Sequence, residues 1–137
     1  MAPGHAREVL SYLKEDAEAP WDFLASLHAC DYLPEEPRLG VHWQLLSTAR
    51  RDRLGVRTRV RVEDPHVPTV MDLWPTADFQ EKEAYDFYGV IFEGHEGLRR
   101  ILMPEDYEGH PLRRDFPIGG EPVLFSYNEN KLPVWYE

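Results

Sequence analysis

Three carboxylates, Glu81, Glu83 and Asp86, fall within one short stretch of the chain. Paired carboxylates do general acid–base work when they converge across a cleft, as in glycoside hydrolysis. These radiate from a single helical segment, and Lys82 offsets part of their charge, so a solvated or partner-facing surface is expected. His95 and His110 each follow a glycine, with Glu96 and Asp106 nearby. Imidazoles with carboxylates could ligate a metal ion in a small hydrolase, but the spacing matches no HExxH-type zinc pattern. The alternative is that Gly94 and Gly109 make tight turns that the imidazoles close with hydrogen bonds. Gly94 and Gly97 have GxxG spacing without the basic surroundings or following helix of a phosphate loop. Cys30 lies two residues from His28 on a segment read as helical, where i and i+2 point apart. A buried thiol is therefore expected rather than a nucleophile pair.

Arg50, Arg51, Arg53, Arg57, Arg59 and Arg61 are half of all the arginines, and only Asp52 offsets them locally. Such a run is either a solvated strand face that guards against aggregation or a docking surface for an acidic partner. Composition leaves both open.

The wider composition narrows the function classes. With 137 residues the chain is sized for one domain with its own core. A net charge of −10 argues against nucleic acid, whose phosphates need a cationic footprint. The single cysteine can neither close an internal disulfide nor ligate an iron–sulfur cluster or a cysteine zinc site. No apolar run approaches the ~20 residues of a membrane span, and the first residues carry no signal-peptide core. The expectation is a cytosolic protein with only indirect membrane association. Twelve prolines exceed the usual ~5% and suggest preset, extended connections.

The elements that must position these residues follow from periodicity. Residues 5–17 carry Ala6, Val9, Leu10, Leu13 and Ala17 at helical spacing, and residues 21–30 are expected to form a second, mostly buried helix. Residues 41–47 alternate, as do residues 56–62, where Val56, Thr58, Val60 and Val62 oppose Arg57, Arg59 and Arg61. TARRDRLG between them is expected as a long hairpin loop, placing the arginines on its outer face and tip. Residues 69–73 are read as extended. Thr76 is a candidate side-chain cap for a helix through Phe87, with Asp78 and Lys82 paired at i,i+4. Ala77, Ala84 and Tyr88 form its packing face, and Gly89 closes it. Short strands are expected at 90–92 and 98–102, and mostly loop over residues 103–137.

Residues 74–117, WPTADFQEKEAYDFYGVIFEGHEGLRRILMPEDYEGHPLRRDFP, are more specific than any of this. They resemble the signature of the 30-kDa-type subunit family of respiratory complex I, the NADH:quinone oxidoreductase. Glu81, Glu83, Tyr85, Asp86, Gly89, Phe92, His95, Leu98, Arg100, Ile101 and Leu102 match its pattern. Gly109, His110, Pro111, Leu112, Arg113, Asp115 and Pro117 match its closing motif. Lys82 stands where the family usually has Arg, Glu96 where it has Pro, and Arg114 where it has Lys. The likeness extends more loosely over about residues 7–125. Family members usually carry a strand before the first helix and run on beyond the signature, and both extensions are short or missing here.

The resemblance implies an α+β, two-layer domain over residues 1–137. A mixed or antiparallel sheet with an Arg-faced hairpin is packed by two to three helices, and an extended Pro-rich tail covers about residues 103–137. It implies a structural subunit of the hydrophilic arm, with no catalytic, cofactor-binding or metal residues of its own. FMN, iron–sulfur clusters and quinone would belong to partner subunits, especially the large quinone-site subunit and its cluster-bearing neighbours, at the cytoplasmic side of the inner membrane. Glu81, Glu83, Asp86, Gly89, His95, Arg99, Arg100, His110, Pro111, Arg113, Arg114 and Asp115 are the expected signature and interface residues. The equivalent subunit of a membrane-bound hydrogenase or another complex-I-like dehydrogenase fits the same fold.

Overall fold

The computed structural model describes residues 2–117; the expected tail beyond residue 117 lies outside them. After a single 3-10 turn at Pro3–His5, the elements run α1 (Ala6–Lys14), β1 (Phe23–Asp31), β2 (Leu39–Ser47), β3 (Asp52–Val60), β4 (His66–Pro68), α2 (Ala77–Tyr88) and β5 (Ile91–Glu93). The fold is α+β. β1, β2 and β3 form an antiparallel sheet in that order, and β4 pairs with β5 in a separate two-stranded ladder. That second pair is parallel, and α2 supplies the crossover that a parallel pair needs.

One face of the three-stranded sheet carries Leu24, Leu27, Ala29, Leu39, Val41, Trp43, Leu45 and Val60, all buried. They meet Ala6 and Leu10 of α1, Ala77 and Ala84 of α2, and Trp21, Val67, Val70, Trp74, Val90 and Phe92 from the connections and the short strands. The opposite face supplies no residue to this core. The domain therefore has two layers, with apolar alternation on one side of the sheet.

The helix expected over 21–30 is a strand. Its i,i+3 spacing of Leu24 and Leu27 has a strand origin: the register shifts between Leu24 and Ser26. A bulge adds one residue and reverses the side-chain parity, so both leucines face the core as they would on a helix. Ala and Leu favour helix locally, but the ladder with β2 overrides that weak preference.

Other boundaries also move. Ser47 pairs with Asp52, so residues 48–51 make a tight turn and the second half of the expected long loop is strand. Residues 71–73 turn rather than extend. Thr76 caps α2 by position, yet its side chain makes no capping hydrogen bond. The expected strand over 98–102 is absent, because its amides are used elsewhere. Gly89 does close α2 at φ 80°, a backbone conformation costly for residues with a Cβ. The Asp78–Lys82 ion pair forms at 3.3 Å.

Candidate functional site

Helix α2 carries two carboxylates that the sequence pattern assigns to a solvated face and that are fully buried, Glu81 and Asp86. Glu81 sits at i+4 from Ala77 and i−3 from Ala84, within the core-facing stripe. That stripe was the available signal for its burial, and the charge masked it. Glu83, one residue off the stripe, is exposed.

Glu81 fastens the start of α2 to the segment after β4. It accepts the Thr69 hydroxyl at 2.5 Å and the Val70 amide at 2.8 Å. Burial pushes its carboxyl up, against the lowering effect of those donors and of His95. The His95 Nδ1 accepts the Gly97 amide at 3.1 Å, which leaves Nε2–H to donate to Asp78 Oδ1 at 2.9 Å. His95 thus closes its turn by hydrogen bonding, and Gly94 takes φ 87° there.

Asp86 fastens the other end. Its Oδ1 receives Arg100 Nη1 at 2.8 Å. Its Oδ2 receives the amides of Ile101, Leu102 and Met103 at 3.2, 2.8 and 2.9 Å. Burial opposes ionisation, but these four donors together hold the carboxyl below its ordinary value.

The last turn of α2 would otherwise present orphan carbonyls. Arg100 and His110 Nδ1 donate to Asp86 O at 3.0 and 3.2 Å, the Leu112 amide to Phe87 O at 3.1 Å, and Arg113 Nε to Tyr88 O at 2.7 Å. Two guanidinium groups at the negative end of the helix dipole are also electrostatically favourable. Arg100 Nη2 continues to Gly109 O at 2.7 Å. Burial, chiefly, lowers the His110 pKa. Asp86, Arg100, His110 and Arg113 are thereby drawn into one clamp around the helix C-terminus.

A third anchor had no local signal. Asp31, at the end of β1, receives Arg38 at 2.6 Å and the Arg114 amide at 2.9 Å. Arg38 also pairs with Asp115 at 3.0 Å, and Arg114 Nη1 donates to Leu33 O at 2.7 Å. The Arg38 guanidinium, foremost, holds the Asp31 carboxyl down to about 2. Arg99 is exposed and Pro111 half-buried.

These carboxylates are saturated with donors from their own chain, so the arrangement holds a segment in place rather than presenting a reactive group. Among the described residues no cluster of three or more His, Cys, Asp or Glu is placed to hold a metal ion. His95 and His110 sit at opposite ends of α2, which separates the pair that a hydrolase reading would unite. Cys30 is half-buried and on a strand, so the helical argument against its pairing with His28 does not apply. Its neighbour is instead His42, Sγ to Nε2 3.4 Å, and the same nitrogen meets the Tyr32 hydroxyl at 2.8 Å. Among the described residues no helix is long and apolar enough to cross a membrane.

Residues 1–122 match the family described as respiratory-chain NADH dehydrogenase, 30 Kd subunit. An NADH-quinone oxidoreductase subunit of Roseiflexus castenholzii is 44% identical over 130 residues, covering 95% of this chain and 75% of the relative. A trypsin-resistant fragment of Nqo5 superposes with a TM-score of 0.65 at 36% identity, over 72% of this chain and 79% of that one. A chain of the membrane-bound sulfane sulfur reductase, an archaeal respiratory membrane complex, gives a TM-score of 0.74 at 27% identity, over 88% and 71%. With the family match, these relatives and the shared fold in agreement, the chain belongs to the 30 Kd subunit family of respiratory-chain NADH dehydrogenase.

Proposed function

We propose that the chain is a structural subunit of the hydrophilic arm of a proton-translocating NADH:quinone oxidoreductase and binds no redox centre itself. The observation that carries this reading is the use of these signature groups: the buried Glu81 and Asp86 and the half-buried Arg100 and Arg113 are spent on fixing the chain's own segments. Such a domain contributes rigidity and position. FMN, the iron–sulfur clusters and quinone sit on partner subunits, among them the large quinone-site subunit and its cluster-bearing neighbours. The chain associates peripherally at the cytoplasmic side of the membrane. In this reading residues 1–137 are one domain, with residues 74–117 as its signature. Among the expected interface residues, Glu83, Arg99, Arg114 and Asp115 are exposed and open to partners.

A second reading is the equivalent subunit of a related membrane-bound hydrogenase or dehydrogenase. The likeness to the sulfane sulfur reductase chain favours it. Affinity isolation of the tagged chain from detergent-treated membranes separates the two. Recovery of NADH-oxidising and quinone-site subunits is expected. Electron-input subunits of another type would establish the second reading, and recovery of no other subunit would overturn both. Stoichiometric iron in the purified chain would refute the absence of a redox centre, and stoichiometric zinc would favour a metal-dependent hydrolase instead.

A further inference from the structure

The six clustered arginines divide into two groups once folded. Arg50 is committed within the chain, donating to Asp16 at 2.8 Å and to Ala19 O at 3.2 Å. Arg59 donates to Pro37 O at 2.8 Å and lies over the Tyr32 ring at 4.3 Å. Arg61 is exposed and without an ion pair to any described residue, but it lies past the end of β3 beside Glu36, Glu63 and Asp64. Arg51, Arg53 and Arg57 are exposed and form no ion pair with any described residue. That is notable in a chain with 25 acidic and 15 basic side chains, where an exposed guanidinium has many possible carboxylate partners.

We propose that the outer face of the β1–β2–β3 sheet, led by Arg53 and Arg57 with Arg51 at the hairpin tip, docks an acidic segment of a partner protein. The inference rests on the reading of the chain as part of a larger complex and deepens it by naming a surface and a partner chemistry. The strand registers lay this face out in transverse rows. Phe23, Leu46 and Arg53 form one, Ser26, Gln44 and Gly55 the next, and His28, His42 and Arg57 the third. Phe23 is 47% exposed, and the His28 and His42 rings stack at 5.0 Å. Arginine and an exposed aromatic, here two strands apart on one face, are residue types enriched in protein interfaces. Arg53 and Arg57 stand about 13 Å apart on one strand face, with the side-chain-free Gly55 between them. Two carboxylates four residues apart on an extended segment match that span.

The platform is held firmly. Thr48 bonds Asp22 through its amide at 3.0 Å and its hydroxyl at 2.7 Å, and Ser47 donates to Pro20 O at 2.9 Å. Arg51 takes φ 55°, a left-handed conformation that Gly or Asn adopts with less cost. A long cation is thus held at the tip despite its backbone preference. Electrostatics favours a local acidic segment over an anionic membrane. A short segment meets the arginines within a Debye length of about 8 Å, whereas a charged plane would also face the chain's acidic excess. The face measures roughly 14 by 20 Å, well under the ~800 Å² that each partner contributes to an ordinary interface, so it strengthens a larger contact.

The test uses the assembled complex isolated from membranes through the tagged chain, washed with rising salt. Wild type should be retained at about 0.15 M salt, and Arg53→Glu/Arg57→Glu should lose retention by about tenfold or more through like-charge repulsion. Arg53→Lys/Arg57→Lys should keep most of it, and Arg51→Glu should show a smaller loss. Thermal midpoints of the isolated chains check folding; should the double reversal fail to fold, Arg53→Gln/Arg57→Gln replaces it, with a smaller loss expected. Wild type and charge variants retained equally would overturn this inference alone. Wild type recovered without any other subunit would remove the proposed function and this inference with it. Wild-type sedimentation with phosphatidylglycerol vesicles that the reversal abolishes would overturn it in favour of lipid.

Discussion

Replacing Asp86 with asparagine changes little in volume and removes the charge around which residues 100–103 are organised. The wild-type carboxylate is fully buried and receives one guanidinium and three amides. Hydrogen bonds to a charged group contribute roughly 1.5–3 kcal/mol each when counted singly, but they do not add. Ile101 and Leu102 are exposed, so their amides regain water once released. An asparagine keeps one acceptor oxygen and turns an NH₂ toward the remaining donors. The net loss is therefore about 3 kcal/mol, with Asp86→Ala nearer the 3–5 kcal/mol of a broken buried ion pair. Against a total stability of about 5–15 kcal/mol this is large. Urea unfolding at pH 7 measures it, and trypsin cleavage after Arg99 and Arg100 reports local release. Because about 1.4 kcal/mol is tenfold, cleavage should accelerate on the order of a hundredfold. The sign with pH follows from the depressed carboxyl. Its stabilisation is present above the unfolded carboxylate value of about 4 and is lost as pH falls through the folded value, so wild type and variant should converge in acid. An Asp86→Asn midpoint within about 0.5 kcal/mol of wild type, with unchanged trypsin cleavage, would refute the clamp.

Three further outcomes are expected. Asp31, held at about 2 chiefly by Arg38, contributes about 2 kcal/mol above pH 4 that fades between about pH 4 and pH 2; Asp31→Asn should flatten that part of the acid-stability curve. Glu81 behaves in the opposite sense. Its raised pKa means stability declines as pH rises from about 4.3 through its folded value, so Glu81→Gln should stay within about 1 kcal/mol of wild type at pH 7, whereas Glu81→Ala should cost about 2–3 kcal/mol by stranding the Val70 amide; chemical denaturation across pH separates them. Gly89→Ala should cost more than the ~1 kcal/mol of its positive φ alone. Its Cβ would lie 2.7 Å from His110 and against Arg113, so the histidine's NMR titration should shift together with the thermal midpoint.

Much of the architecture was legible wherever one physical signal dominated. Strict alternation placed Val60 and Thr58 inward and Arg57 outward, and α2 with its Gly89 end followed from helical spacing and a residue suited to φ 80°. Hydrophobic periodicity failed at β1 for a definite reason. A bulge between Leu24 and Ser26 gives a strand the i,i+3 pattern of a helix, and only pairing with β2 distinguishes them. The same limit applied to 98–102, where Leu98, Ile101 and Leu102 resemble a strand until Asp86 claims the amides of Ile101 and Leu102.

The signature over residues 74–117 needed no coordinates to be noticed, because motif residues and their spacing are properties of the chain itself. What each residue does was decided by tertiary structure. Burial turned Glu81 and Asp86 from surface charges into anchors, since a carboxylate out of water must be saturated with donors, and those donors come from Val70 and Arg100. Asp31 and Arg114 meet across 83 positions of sequence, a distance over which no local propensity acts. The arginine cluster could be counted in the sequence, but only folding showed that Arg50 and Arg59 serve the chain while Arg51, Arg53 and Arg57 face outward.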